Sequence, residues 1–170
     1  NYLFIISIIV FGFMMTLTSS PAVAEKISAG PFFLINKQII FSILAIITLT
    51  LISFLSVEQI KIFSIAGIFT ALLLLIIVLL FGSEAKGAKR WIILLGFTLQ
   101  PSEFAKTFFL VFNAFLLQKL SKEKWLIKYG FSGVLYLIIA GLFISQPDFG
   151  MTLTFTILWL VQLFIFGLPI

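Results

Sequence analysis

The sequence predicts an all-α fold, a polytopic transmembrane helical bundle of about six spans. Three observations carry this prediction. The 170 residues are 62% hydrophobic and only 10% charged, whereas ordinary soluble domains are roughly 45–50% apolar and about 25% charged. Mean hydropathy is +1.27, and 22 residues are Phe; a globule this small cannot hide so much apolar surface, but lipid can. The apolar residues also fall into charge-free runs near the length of about 20 residues that crosses roughly 30 Å of hydrocarbon.

The spans are expected near residues 2–18, 38–57, 62–82, 102–118, 129–146 and 150–169, all within one membrane domain covering 1–170. The first has no basic region before it and no A-x-A site at a sensible distance, so it reads as a spanning helix rather than a cleaved signal. Gln38 to Val57 and Ile62 to Ser83 carry no charge. The fourth is the least apolar. Only Thr107 to Gln118 is charge-free, and the span reaches full length by admitting Glu103 and Lys106. The chain opens on Asn1 inside one apolar run and stops at Ile170 straight after another, which reads as a piece of a longer protein.

The connections differ in kind. Ser19 to Lys37, with Pro21, Gly30 and Pro31, reads as an ordered loop; Ser56 to Lys61 as a short turn; Gln118 to Lys128 as a short basic loop; and Gln146 to Gly150 as a tight Pro-Asp turn. Gly82 to Pro101 is long and mixed. Within it, 91–100 is too short to span, and Trp91 beside basic residues suits the lipid interface, so this stretch is expected to lie on the membrane or dip into it. Six alternating spans put 19–37, 82–101 and 146–150 at one face and 56–61 and 118–128 at the other. Basic residues in these loops divide five against five, so the positive-inside rule does not orient the chain. The density of Lys in 118–128 favours that face as cytoplasmic.

Cys and His are both absent. This excludes a disulfide framework, a thiolate nucleophile, His or Cys metal sites and a Ser-His-Asp triad within this chain. Chemistry here must use carboxylates, Lys, Arg, hydroxyls or backbone. No cofactor is identified, no metal ligand is assigned, and a divalent cation is left open.

The polar residues that remain gather at one face. Gly82 to Trp91 is the most polar run, with Lys86, Lys89 and Arg90 among glycines that permit close backbone approach. It is not a Walker A loop, because Ala88 stands where Lys must follow the second Gly. It reads either as a solvated loop on anionic headgroups or as a pocket for a lipid-linked phosphate. Arg90 is the only Arg among eleven basic residues, and its fork binds carboxylate or phosphate bidentately, which Lys cannot. Gln100-Pro101-Ser102-Glu103 reads as a helix start, with Pro in the first turn and Glu103 near free N–H groups. Lys106, one turn on, can pair with Glu103 or serve a substrate. Asp148 has three readings: cap of the sixth helix, partner of the basic cluster, or a catalytic carboxylate.

Three ordered stretches carry a resemblance: Lys86-Gly87-Ala88-Lys89-Arg90-Trp91-Ile92, Gln100-Pro101-Ser102-Glu103-Phe104-Ala105-Lys106, and Gln146-Pro147-Asp148-Phe149-Gly150. Together they resemble the signature of the SEDS family (shape, elongation, division and sporulation), which includes FtsW, RodA and SpoVE. Ser20-Pro21-Ala22-Val23-Ala24 and Asn36-Lys37-Gln38 resemble its division branch. Thr98 and Thr107 depart from the family pattern, which often has a basic residue and Pro at those positions. The likeness covers the whole chain, as roughly the first six of about ten family helices.

The resemblance implies a peptidoglycan glycosyltransferase that polymerises lipid II at the outer face of the cytoplasmic membrane during cell division. It implies a multi-pass protein of the division septum with a cytoplasmic N-terminus. It also implies a class B penicillin-binding transpeptidase and other division proteins as partners, and no nucleic acid. Lys86, Lys89, Arg90 and Lys106 are expected to hold the substrate diphosphate. Gln100, Pro101, Glu103, Asp148 and Gly150 are expected to orient them. The family's catalytic Asp lies beyond Ile170, so the catalytic residue within this chain is unknown and Asp148 is not promoted to that role. Two rival classes are a lipid II flippase and a non-catalytic division scaffold. Charges gathered at one face, with few at mid-membrane, count against a transport path.

Overall fold

The computed structural model describes residues 2–26, 32–85, 88–94 and 97–168. The all-α class holds: six helices account for most of the chain, α1 (Tyr2–Lys26), α2 (Phe33–Ser53), α3 (Val57–Phe81), α4 (Pro101–Lys119), α5 (Trp125–Ser145) and α6 (Phe149–Ile165). Four of them, α1, α2, α3 and α5, are long and apolar enough to cross a membrane. Glu103, Lys106 and Asn113 dilute α4, and α6 is an apolar helix of 17 residues.

Helix ends depart from the charge-free runs for local reasons. Residues 57–61 are not a turn but the start of α3. A capping box begins the helix there: Ser56 Oγ accepts from the Gln59 backbone N–H at 3.3 Å, and Gln59 Oε1 accepts from the Ser56 N–H at 2.8 Å. Likewise α1 runs through Pro21 to Lys26, and α2 begins before Lys37, so the expected 19–37 loop is helical at both ends. Proline interrupts a membrane helix less than a soluble one, because local adjustment re-satisfies the freed carbonyl. The Gly30-Pro31 pair lies outside the described residues.

Several hydroxyls within the helices are satisfied by their own helix. The hydroxyls of Ser7, Thr16, Thr50, Thr70, Ser145 and Thr154 each donate to the carbonyl four residues back, at 2.7–2.9 Å. This is how apolar surroundings tolerate Ser and Thr.

The chain forms two compact units, 1–55 and 56–170. The first is the α1–α2 hairpin. The second holds α3 to α6 and a feature that the hydropathy pattern does not predict. Between α3 and α4 lies a three-stranded antiparallel meander, β1 (Ser83–Ala85), β2 (Ala88–Leu94) and β3 (Phe97–Leu99), in spatial order β1-β2-β3. Ala85 pairs with Ala88, and Leu94 pairs with Phe97. The expected interfacial stretch 91–100 is therefore mostly strand. Its β-branched and aromatic residues, bounded by Gly87 and Gly96, are a strand signal of moderate strength.

The core of the second unit is built around Phe155, fully buried on α6. Phe109 of α4 and Phe143 of α5 meet it edge-on at 4.7 and 5.3 Å between centroids, and Tyr136 stacks on it at 5.5 Å. Trp159 stacks in turn on Tyr136 at 4.0 Å. Gly67 lets α3 approach α4 closely, because a Cβ there would run into the Phe108 ring. Where lipid replaces water, such close packing and interhelical hydrogen bonds hold helices together. The bonds are present: Tyr136 Oη with Thr156 Oγ1 (2.7 Å), Trp159 Nε1 to Ser132 Oγ (2.9 Å), Asn113 Nδ2 to Gln162 Oε1 (2.9 Å) and Gln162 Nε2 to the Leu110 carbonyl (2.7 Å).

Candidate functional site

The site is assembled at the end of the second unit where β2, the start of α4 and the α5–α6 turn meet. Gln100 precedes Pro101, which takes the first helical position of α4, where its missing N–H costs nothing. Asp148 is the N-cap of α6, and its Oδ1 accepts from the Met151 backbone N–H at 3.3 Å. A carboxylate at a helix N-terminus also complements the dipole.

Arg90 lies mid-strand on β2 and grasps the turn. Its Nε donates to the Gln146 carbonyl at 3.4 Å, its Nη2 donates to the Pro147 carbonyl at 2.6 Å, and its Nη1 pairs with Asp148 Oδ1 at 3.5 Å. The other carboxylate oxygen, Oδ2, accepts from Gln100 Nε2 at 3.2 Å. A carboxylate whose side chain is only 7% exposed thus receives donors from β2, from α6 and from the residue before α4. Such charge-assisted bonds are stronger than neutral ones, and a buried ion pair needs them to offset its desolvation. Gln146, also buried, extends the network inward by donating from Nε2 to the Leu75 carbonyl of α3 at 3.0 Å.

One turn into α4, Lys106 Nζ lies 2.6 Å from Glu103 Oε2. Lys106 keeps 19% of its side chain exposed and Glu103 keeps 54%. Between them and the helix start, Ser102 Oγ is buried and has no hydrogen-bond partner among the described residues.

Of the three readings open for Asp148, the structure combines two: it caps α6 and it faces the basic cluster. The Arg90 fork, expected to meet the diphosphate, lies against three consecutive residues of the turn. Lys89 is exposed on the neighbouring strand position, and Lys86 lies outside the described residues. Gly150 shows no close approach that demands glycine: an added Cβ would meet nothing within 4 Å. Sequence reasoning missed the Gln146 side chain as a link to α3. Its only signal was a Gln inside a Gln-Pro-Asp turn, with nothing local to point at Leu75. Among the described residues, no cluster of three or more Asp, Glu, His or Cys could hold a metal.

Comparison with known proteins gives this arrangement a context. A protein of Trichlorobacter lovleyi named as a probable peptidoglycan glycosyltransferase FtsW is 30% identical over 169 residues, covering 97% of this chain and 44% of that protein. The crystal structure of the rod shape determining protein RodA of Thermus thermophilus superposes with a TM-score of 0.74 at 27% identity, covering 95% of this chain and 53% of RodA. A peptidoglycan synthase complex, described as coordinating polymerization and crosslinking, contains a chain that matches with a TM-score of 0.73 at 27% identity, covering 94% of this chain and 48% of that one. The chain spans less than half the length of the curated relative it matches. Its apolar helices and these likenesses make it a multi-pass membrane protein. The family described as Cell cycle protein, FtsW/RodA/SpoVE, matches residues 1–170, and the chain belongs to that family.

Proposed function

We propose that the full-length protein is a peptidoglycan glycosyltransferase that polymerises lipid II at the outer face of the cytoplasmic membrane, in the division branch of its family. The carrying observation is the convergence of β2, the α4 start and the α5–α6 turn on one carboxylate, which fixes cations and carboxylates at a single end of the helices. The names borne by its relatives support the same reaction.

Lipid II carries a diphosphate between its sugar and its polyprenyl chain. In the reaction an acceptor hydroxyl attacks the donor's anomeric carbon. The new glycosidic bond forms, the bond to the diphosphate breaks, and polyprenyl diphosphate leaves with the negative charge. Cations near that leaving group stabilise the charge as it develops. Lys86, Lys89 and Lys106 are our choices for this task. Glu103 orients Lys106, and Asp148 with Gln100 and Pro101 holds the start of α4. A carboxylate from beyond Ile170 takes the acceptor proton as general base. Grooves between helices take the polyprenyl tail.

Work at the septum and a class B penicillin-binding transpeptidase as partner belong to the same proposal; the synthase complex among the structural relatives, described as coordinating polymerization and crosslinking, supports the partner. The test uses purified full-length protein and lipid II. Lys106→Ala and Arg90→Ala are both expected to insert normally, the first with a loss of glycan strands of about a hundredfold or more and the second with a loss of about tenfold. Wild-type polymer yield from Lys106→Ala would sink the reading.

A further inference from the structure

We infer that Arg90 is a positioning residue for this reaction, and that its strand neighbour Lys89 is the cation that meets the diphosphate. The inference rests on the polymerase reading above and divides the labour of two adjacent cations. Arg90 sits where β1 and β2 shift register: Ser83 pairs with Trp91 and Glu84 with Lys89, so Arg90 is the extra residue of a bulge, a device that re-aims a side chain. The Arg90 face of β2 is closed by the turn, since Nε, Nη2 and Nη1 meet acceptors on Gln146, Pro147 and Asp148. The Lys89 side chain is exposed.

Arg90 is linked to the start of α4 through Asp148. Its ion-pair partner Asp148 holds Gln100 through the other oxygen, and Gln100 immediately precedes the helix that carries Glu103 and Lys106. Loosening Arg90 therefore frees β2 and the α4 start together. The planar guanidinium is needed because its acceptors are spread over three residues. An ammonium is a point donor and cannot span them. This accounts for a single Arg in a chain whose other ten basic residues are Lys: the site uses the shape of the group rather than its charge.

The experiment compares Arg90→Lys, Arg90→Gln, Asp148→Asn, the double variant Arg90→Gln with Asp148→Asn, and Lys89→Gln, all in the full-length protein in nanodiscs. Lipid II turnover and backbone amide exchange are both measured. A charge-assisted contact of this kind is worth about tenfold or more. Arg90→Lys and Arg90→Gln should each lower kcat by about that factor with lipid II KM within about twofold. Amide exchange across 88–94 and 97–99 should accelerate in both. The double variant should be no worse than its more damaged parent, as expected for partners in one interaction. Lys89→Gln should instead lower kcat/KM about tenfold with exchange unchanged. Wild-type kcat in Arg90→Lys overturns the inference, as does a defect in Arg90→Gln confined to KM with unchanged exchange. If the wild type makes no polymer, the polymerase reading fails by itself. The exchange data then decide the positioning claim alone, and unchanged protection in Arg90→Lys overturns it.

Discussion

The two ends of the α3–α6 unit carry basic residues of similar number but use them differently. At the meander end, Arg90 and Lys106 are both engaged by carboxylates, Asp148 and Glu103. At the opposite end, Lys119, Lys122 and Lys124 are exposed and have no ion-pair partner among the described residues. There only Lys128 is drawn in. Its Nζ donates to the Phe166 carbonyl at 2.7 Å, beside the Tyr129 hydroxyl on the same oxygen at 3.0 Å. A cation at the end of α6 complements that helix dipole, and Nζ also lies 4.7 Å from the Tyr129 ring centroid. The difference teaches that counting charges, which divide evenly, cannot separate a built site from a solvated face. The position of the carboxylates separates them.

Substitutions can break or sharpen this contrast. Asp148→Leu should have the largest effect, about 3 kcal/mol of stability, because Arg90 Nη1, Gln100 Nε2 and the Met151 N–H all lose the carboxylate that accepts from them. The figure sits at the low end for a buried pair, since Arg90 keeps 33% of its side chain in solvent. Unfolding of the purified protein in detergent checks it, and a loss under about 0.5 kcal/mol would erase the contrast. Asn113→Leu, between the two ends, should cost about 1–2 kcal/mol by removing the donor to the half-buried Gln162 Oε1, read by the same unfolding assay. Lys128→Met with Tyr129→Phe should cost about 1 kcal/mol and show as faster amide exchange in the last turn of α6. The triple change Lys119→Gln, Lys122→Gln and Lys124→Gln should stay within about 0.5 kcal/mol of wild type. A larger shift would mean that this end also holds a built network.

Much of the fold was legible because lipid imposes a simple code. Charge-free runs near 20 residues mark helices, and the interiors of α2, α3 and α5 follow from them. The ends were less legible because they depend on local hydrogen bonds. The Ser56–Gln59 capping box starts α3 before Lys61, which a search for charge-free runs cannot include. The meander was missed because its strands are short and the surrounding composition is uniformly apolar, so alternation is weak from Arg90 to Leu94.

The candidate site was legible as residue types and opaque as geometry. A lone Arg, a Gln-Pro helix start and a Pro-Asp turn marked three stretches that the structure brings together. That Arg90 would face Asp148 rather than solvent depends on β2 lying against the α5–α6 turn, a contact 58 positions apart in sequence. The link from Gln146 to the Leu75 carbonyl, 71 positions apart, had no local signal at all.

The most direct measurement compares glycan strand synthesis from purified lipid II by three forms of the full-length protein: wild type, Lys106→Ala, and the Lys119→Gln, Lys122→Gln, Lys124→Gln triple variant. We expect a loss of about a hundredfold or more in Lys106→Ala, the scale of removing a group that stabilises developing charge. The triple variant should keep near-wild-type synthesis. Equal activity in all three forms, or a loss confined to the triple variant, would contradict a polymerase site at the meander end.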